Sequence, residues 1–195
     1  MKNIDEILEE IGEDKHENLS TTSFLFKRGL WDFFGDSLYN AKTKNCVEFG
    51  THKGQTTRVL ANLFKKVYTI NLPAHFDMAR QLNVDLNNIE YIGLNLYQTP
   101  LDKNFKHDPI SMVFIDANHT FDCVMSDFTR LLNFNLAKEV HVVFDDYGCH
   151  NDVYIAVEQL IRAGQLERVK YIGHPPRHNF GGTPNRILEN PEGII

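Results

Sequence analysis

Apolar residues recur along this chain at two periods, and the places where the period changes outline the fold. Ile4, Ile7, Leu8 and Ile11 stand at i, i+3, i+4 and i+7, which predicts an acidic amphipathic helix stopped at Gly12. A polar stretch over 13–23 reads as a loop, and Leu30, Trp31, Phe33, Phe34 and Leu38 then predict an apolar helical segment over 24–39 that covers the core. Short apolar runs follow at 46–49, 67–70, 89–92, 112–115, 140–144 and 169–172, with a last one at 186–188. Between them lie helical patterns: Val59, Leu60, Leu63 and Phe64; Phe76, Ala79, Leu82 and Leu86; Phe121, Val124, Phe128, Leu131 and Leu132; and Val153, Ala156, Val157, Leu160 and Ile161 before a capping Gly164. Strands alternating with helices imply an α/β fold around a mostly parallel sheet. The run Met112-Val113-Phe114-Ile115 is apolar throughout, as expected of a central strand covered on both faces.

In open parallel sheets, ligands sit beyond the carboxyl ends of the strands, so the polar residues there carry the candidate chemistry. The stretch 46–57, Cys-Val-Glu-Phe-Gly-Thr-His-Lys-Gly-Gln-Thr-Thr, reads as a strand that breaks at a glycine and re-enters as a helix. Gly50 and Gly54 permit a sharp turn and close approach of backbone to a ligand, and Thr56 offers a hydroxyl in the helix's first turn. That suits a small anionic or zwitterionic group. The spacing departs from the Gly-x-Gly-x-x-Gly fingerprint and does not favour a nicotinamide dinucleotide. The second strand ends at Asn71, the fourth at Asp116 and the fifth at Asp145 and Asp146. Neighbouring strands lie about 4.8 Å apart, so Asp116, Asp145 and Asp146 are placed to converge. Three carboxylates sharing a point repel unless a cation separates them, and an all-oxygen set favours Mg²⁺, then Mn²⁺ or Ca²⁺. Each Asp taken alone also serves as a helix cap or a solvated turn residue. His119, three residues beyond Asp116, is a candidate general base because imidazole titrates near neutrality. Its bland alternative is an exposed loop residue. His150, His174 and His178 have no spacing that selects them.

Composition narrows the setting without changing the picture. At 195 residues the chain fits one domain, 1–195, with 1–40 as a helical cover and 41–195 as the α/β core. No apolar run approaches the roughly 20 residues that span a bilayer. The first ten residues mix charged with isolated apolar side chains and lack the h-region of a secretory signal, so a cytoplasmic location is expected. Three widely spaced cysteines without a Cys-x-x-Cys fit a reducing compartment and argue against a thiolate zinc site. A net charge of −6 with scattered Lys and Arg does not point to nucleic acid as a partner.

Three segments together carry a resemblance: Val47-Glu48-Phe49-Gly50-Thr51-His52-Lys53-Gly54-Gln55-Thr56; Val113-Phe114-Ile115-Asp116-Ala117-Asn118-His119-Thr120-Phe121; and Val143-Phe144-Asp145-Asp146-Tyr147 followed by 153–157. In this order and spacing the chain resembles the class I S-adenosylmethionine-dependent methyltransferases, and within them the small metal-dependent O-methyltransferases similar to catechol and macrocin O-methyltransferases. The resemblance implies a Rossmann-like, doubly wound seven-stranded sheet with an antiparallel last strand. It implies that S-adenosylmethionine is held by Glu48, Gly50, Thr51, His52, Gly54, Thr56, Asn71, Asn95 and Asp116, with Mg²⁺ or Mn²⁺ on Asp116, Asp145 and Asp146. His119 falls where catechol-type enzymes place a lysine base, which with Asp116 makes the catalytic pair. Asn71 departs from the family, which usually places a carboxylate there to accept from both ribose hydroxyls; a neutral amide accepts only through one oxygen. The implied substrate is a small molecule or sugar with a hydroxyl or vicinal diol, shaped by the Gly- and Pro-rich loop over 174–184, and a homodimer is left open. A catalytically silent binding module of the same fold, or a related metal-using hydroxylase, are the alternatives.

Overall fold

The computed structural model describes residues 2–12, 22–98, 107–173 and 191–195. The first expected helix is α1 (Ile4–Glu10), opened by a reciprocal cap in which Asn3 accepts from the Glu6 N–H and Glu6 accepts from the Asn3 N–H. Helix α2 (Phe24–Phe34) begins at Ser23, whose hydroxyl accepts from the Phe26 N–H. It is shorter than the apolar pattern predicts. Leu38 lies past its end and is exposed, because Gly35 and Asp36 turn the chain away from the core.

Strand β1 (Asn45–Phe49) leads through the glycine turn into α3 (Gln55–Leu63), then β2 (Lys66–Asn71), α4 (Phe76–Leu82) and β3 (Ile89–Gly93). Beyond them come β4 (Ile110–Ile115), α5 (Phe121–Arg130), β5 (Leu136–Phe144), α6 (Asn151–Arg162), β6 (Tyr171–Ile172) and β7 (Gly193–Ile194). The seven strands form one sheet in the order β3-β2-β1-β4-β5-β7-β6. The pairs among β1 to β5 are parallel, whereas β7 runs antiparallel to both β5 and β6. This is the Rossmann-like architecture expected, with an antiparallel strand at 193–194; the strand expected at 186–188 lies outside the described residues, as do His174, His178 and the 174–184 loop. Strand β5 starts four residues before the apolar run at 140–144, because its first part, with the exposed Lys138 and Glu139, pairs with β4 only across a register shift between Ile110 and Met112.

Period-two alternation divides the sheet's side chains between two cores. Cys46, Val67, Met112, Phe114 and Val143 face Ile7, Phe26, Leu30, Phe34 and Leu60 under α1, α2 and α3. Val47, Phe49, Ile70, Val113, Ile115 and Phe144 face Val124, Val153, Val157 and Leu160 under α5 and α6. The cover is tied to the core by Arg58 of α3, a buried guanidinium that pairs with Glu10 at 2.7 Å and Asp85 at 2.8 Å. Successive strand ends are stitched level. The Gly50 N–H donates to Ile70 O, the Asp116 N–H to Phe49 O and the Asp145 N–H to Ile115 O, at 3.0, 2.9 and 3.1 Å. Among the described residues no helix is long and apolar enough to cross a membrane.

Candidate active site

At the end of β1 the chain turns through Gly50 (φ 99°), and its reason lies inside the protein. A Cβ there would stand 1.9 Å from the Asp116 carbonyl oxygen. Gly54 (φ 80°) starts α3, with its Cβ position 2.7 Å from Ala79 Cβ and Asn83 Nδ2. Both glycines therefore allow close packing of neighbouring segments behind the loop, the alternative to close approach of a ligand that the sequence also allows. The loop leads into the start of α3, which carries no side-chain cap hydrogen bond, an arrangement suited to an anionic group.

Glu48 points into the core beside this loop, with no exposed surface. Its Oε2 accepts from the Thr57 and Thr69 hydroxyls, both at 2.6 Å, while Thr51 Oγ1 lies 2.6 Å from Thr69 Oγ1. Since the Thr69 proton is given to Glu48, Thr51 donates to Thr69. Burial raises the Glu48 carboxyl to about 8, against the two threonine bonds that favour its ionised form. Glu48 and Thr51 thus brace the loop from beneath, and His52 (φ 43°) is exposed at its tip.

The ends of β4 and β5 hold a different arrangement. His119 Nε2 sits 2.9 Å from Asp146 Oδ2 and 3.6 Å from Asp116 Oδ1. Burial would lower this imidazole, but the two carboxylates outweigh it and lift it to about 10, which favours its protonated form. Asp116 is raised to about 6 by burial and by Asp146, with His119 opposing. Asp145 is almost fully buried, accepts the Asp146 N–H at 2.8 Å, and is pushed well above the usual carboxylate range by burial and by Asp116 and Asp146. Asp146 adopts a left-handed backbone (φ 58°), unusual for a residue with a Cβ.

The structure joins the glycine loop to these carboxylates through a residue the sequence reading passed over. Thr56 Oγ1 donates to Thr22 Oγ1 at 3.3 Å, and Thr22 Oγ1 donates to Asp116 Oδ2 at 3.4 Å. Beside them Lys27, fully buried in α2, donates to the Thr22 carbonyl, and Glu192 accepts from the Ser23 N–H and hydroxyl. A lysine inside the apolar run 24–34 is the signal that could have revealed this polar seam. His150 was also passed over; its ring centroid lies 4.4 Å from that of His119. Asn71 and Asn95 stay apart, at the ends of β2 and β3, where their Oδ1 atoms accept from Leu72 N at 2.8 Å and Tyr97 N at 3.0 Å.

An oxygen cage for magnesium does not fit well here. Asp116, Asp145 and Asp146 do not bring one oxygen each within 4.8 Å of one another, and the group among the described residues that does so is His119, Asp146 and His150.

Residues 47–147, just over half of the chain, match the family model described as a methyltransferase domain. No curated protein matches the chain in sequence. Among solved structures, the O-methyltransferase TomG of Streptomyces achromogenes is 18% identical, with 87% of this chain and 82% of that one covered at a TM-score of 0.59. Fibrillarin of Aeropyrum pernix is 11% identical over 86% and 73% of the two chains, also at 0.59. The N-methyltransferase NodS of Bradyrhizobium japonicum is 17% identical over 87% and 94%, at 0.57. At such identities these neighbours bear on the fold, which agrees with the sheet order and its antiparallel edge. With the family model spanning the glycine loop, Asp116, His119 and the Asp145-Asp146 pair, the chain belongs to the methyltransferase-domain family and is a class I, Rossmann-like methyltransferase.

Proposed function

We propose that this protein is an S-adenosylmethionine-dependent O-methyltransferase acting on a hydroxyl, or one hydroxyl of a vicinal diol, of a small molecule. The observation that carries the reading is His119 held between Asp116 and Asp146 at partly exposed strand ends, linked through Thr22 to the start of α3. TomG and the Aeropyrum fibrillarin were both solved with S-adenosylmethionine, which supports the choice of methyl donor. When bound, that donor supplies a sulfonium-activated methyl group. The uncapped first turn of α3 is suited to its carboxylate, and the ends of β2 and β3, with Asn71 and Asn95, to its nucleoside.

The chain's own task is to orient an acceptor hydroxyl and take its proton. Bound there, the donor would supply the methyl carbon to the acceptor oxygen and keep the C–S electron pair on its sulfur, and the acceptor's O–H proton would pass to the Asp116–His119 pair. Asp116 is the carboxylate nearer the loop and accepts the proton. The His119 cation offsets the negative charge that develops on the acceptor oxygen. Positioning supplies much of such a rate, since a held pair of reactants avoids the entropy cost of meeting.

The test is calorimetry with S-adenosylhomocysteine followed by turnover on a panel of phenols, catechols and sugars. Binding together with acceptor-dependent release of S-adenosylhomocysteine is expected, and Asp116→Asn should lower turnover by about 10²-fold or more while leaving binding within severalfold. Binding without turnover on any hydroxyl acceptor would favour the silent-module alternative.

A further inference from the structure

We infer that His119, Asp146 and His150 form a metal site for a borderline transition ion, in place of the tri-aspartate magnesium site that the family resemblance implies. One donor atom from each of the three residues lies within 4.8 Å of the others. His119 Nε2 and Asp146 Oδ2 are already 2.9 Å apart. Two donors bound to a metal at about 2.0–2.1 Å subtend close to a right angle at that separation. The His150 ring lies alongside, with its centroid 4.4 Å from that of His119.

The backbone prepares this arrangement. The left-handed turn at Asp146 lets its carbonyl accept the His150 N–H at 2.8 Å, fixing carboxylate and imidazole on one turn ahead of α6. His119 comes from another loop, and that loop is clamped to the same helix, because the Phe121 N–H donates to Asp152 Oδ2 at 3.2 Å. Asn118 Oδ1 accepts the Thr120 N–H at 3.1 Å and shapes the turn that carries His119.

Two imidazoles and one carboxylate are the donors of Fe²⁺, Co²⁺, Ni²⁺ and Zn²⁺ sites, whereas Mg²⁺ prefers oxygen ligands in near-octahedral order. Three protein ligands also leave positions open to a ligand. A metal on His119 Nε2 displaces that nitrogen's proton, so in the loaded site the ion replaces the imidazolium as the positive charge beside Asp116. That the open positions take the acceptor's hydroxyls rests on the proposed methyl transfer; the site itself does not.

Cobalt(II) is the probe, since its visible bands report coordination without turnover. Titration of the 195-residue chain with CoCl₂, without methyl donor or acceptor, should produce saturable bands that Mg²⁺ in about hundredfold excess leaves in place. His150→Ala should weaken cobalt at least about tenfold while S-adenosylhomocysteine affinity stays within about twofold, and Asp145→Asn should change cobalt affinity less than about twofold. His150→Gln, close in size but without an imidazole nitrogen, gives the same readout should the alanine variant unfold. The proposal is overturned by an absence of bands at millimolar cobalt, by displacement with equimolar Mg²⁺, or by Asp145→Asn costing more cobalt affinity than either His150 variant. Failure of S-adenosylhomocysteine to bind the wild-type chain would instead overturn the methyl-transfer reading and leave the cobalt result standing.

Discussion

The two polar strand ends of this sheet handle buried carboxylates in opposite ways. Behind the β1 loop, Glu48 is enclosed by hydroxyls of its own fold, and Thr57, Thr69 and Thr51 form a neutral chain around it. At β4 and β5, Asp116, Asp145 and Asp146 crowd one another, with the cation His119 between two of them and part of the set open to solvent. A carboxyl that the protein can satisfy internally becomes a brace. Carboxylates that it cannot fully compensate are where an external group gains most by binding, because an uncompensated charge is costly to keep.

The largest test of this contrast is steric. Gly50→Ala puts a methyl 1.9 Å from the Asp116 carbonyl oxygen at a φ of 99°, and backbone on both sides leaves nothing to yield. A loss of about 4 kcal/mol or more is expected, at the extreme of single substitutions. Gly54→Ala puts its methyl 2.7 Å from Ala79 Cβ and Asn83 Nδ2 and 2.8 Å from Ala79 Cα; the Asn83 amide can swing away but Ala79 moves only with α4, and a smaller loss of about 2–3 kcal/mol is expected. Urea denaturation of the two variants decides the point. Equal losses would mean that the glycines are not locking one strand end to the next.

This pair of glycines also shows what the sequence could and could not say. The alternation of periods was enough for the strand and helix order, and the strand-end rule was enough to bring Asp116, Asp145 and Asp146 to one end of neighbouring strands, because both depend on local pattern and sheet geometry. Why Gly50 is glycine was not legible, since its reason is a carbonyl 66 positions away in the chain. Thr22, Lys27 and Glu192 were invisible for the same cause: they meet the site only because α2 and β7 fold over it. His150 looked like an ordinary loop histidine until the clamp between α5 and α6 brought it beside His119.

A second test separates the brace from the charged cluster by pH. Glu48 is raised from its ordinary 4.5 to about 8, so between those values the folded state holds a proton that the unfolded chain has released. Stability from this group is therefore full below about 4.5, declines as pH rises, and is lost above about 8, by about 1.4 kcal/mol per pH unit in between. Glu48→Gln carries no titrating proton, and its amide oxygen can accept from both threonines. The variant should be close to wild type near pH 4.5 and increasingly more stable than wild type as pH rises towards 8. Taking the difference between the two proteins cancels the titrations of Asp116, Asp145 and Glu192. Parallel stability curves across that range would show that Glu48 does not hold the extra proton.

The smallest effect concerns Asn71, at the end of β2, where the resemblance implies a carboxylate. Its Oδ1 already accepts from the Leu72 N–H at 2.8 Å, and the rest of the amide group can only donate. Asn71→Asp keeps an oxygen for Leu72 and adds a second, charged acceptor for a ribose hydroxyl, a bond about twice as strong as a neutral one. A net gain of about 1 kcal/mol, or about fivefold in affinity for S-adenosylhomocysteine, is expected by calorimetry. Asn71→Ala separates the two contributions, because it removes the Leu72 contact without supplying an acceptor and should bind no better than wild type. If the aspartate variant binds more weakly than the alanine variant, the end of β2 faces a group that rejects negative charge, and the nucleoside belongs elsewhere along the strand ends.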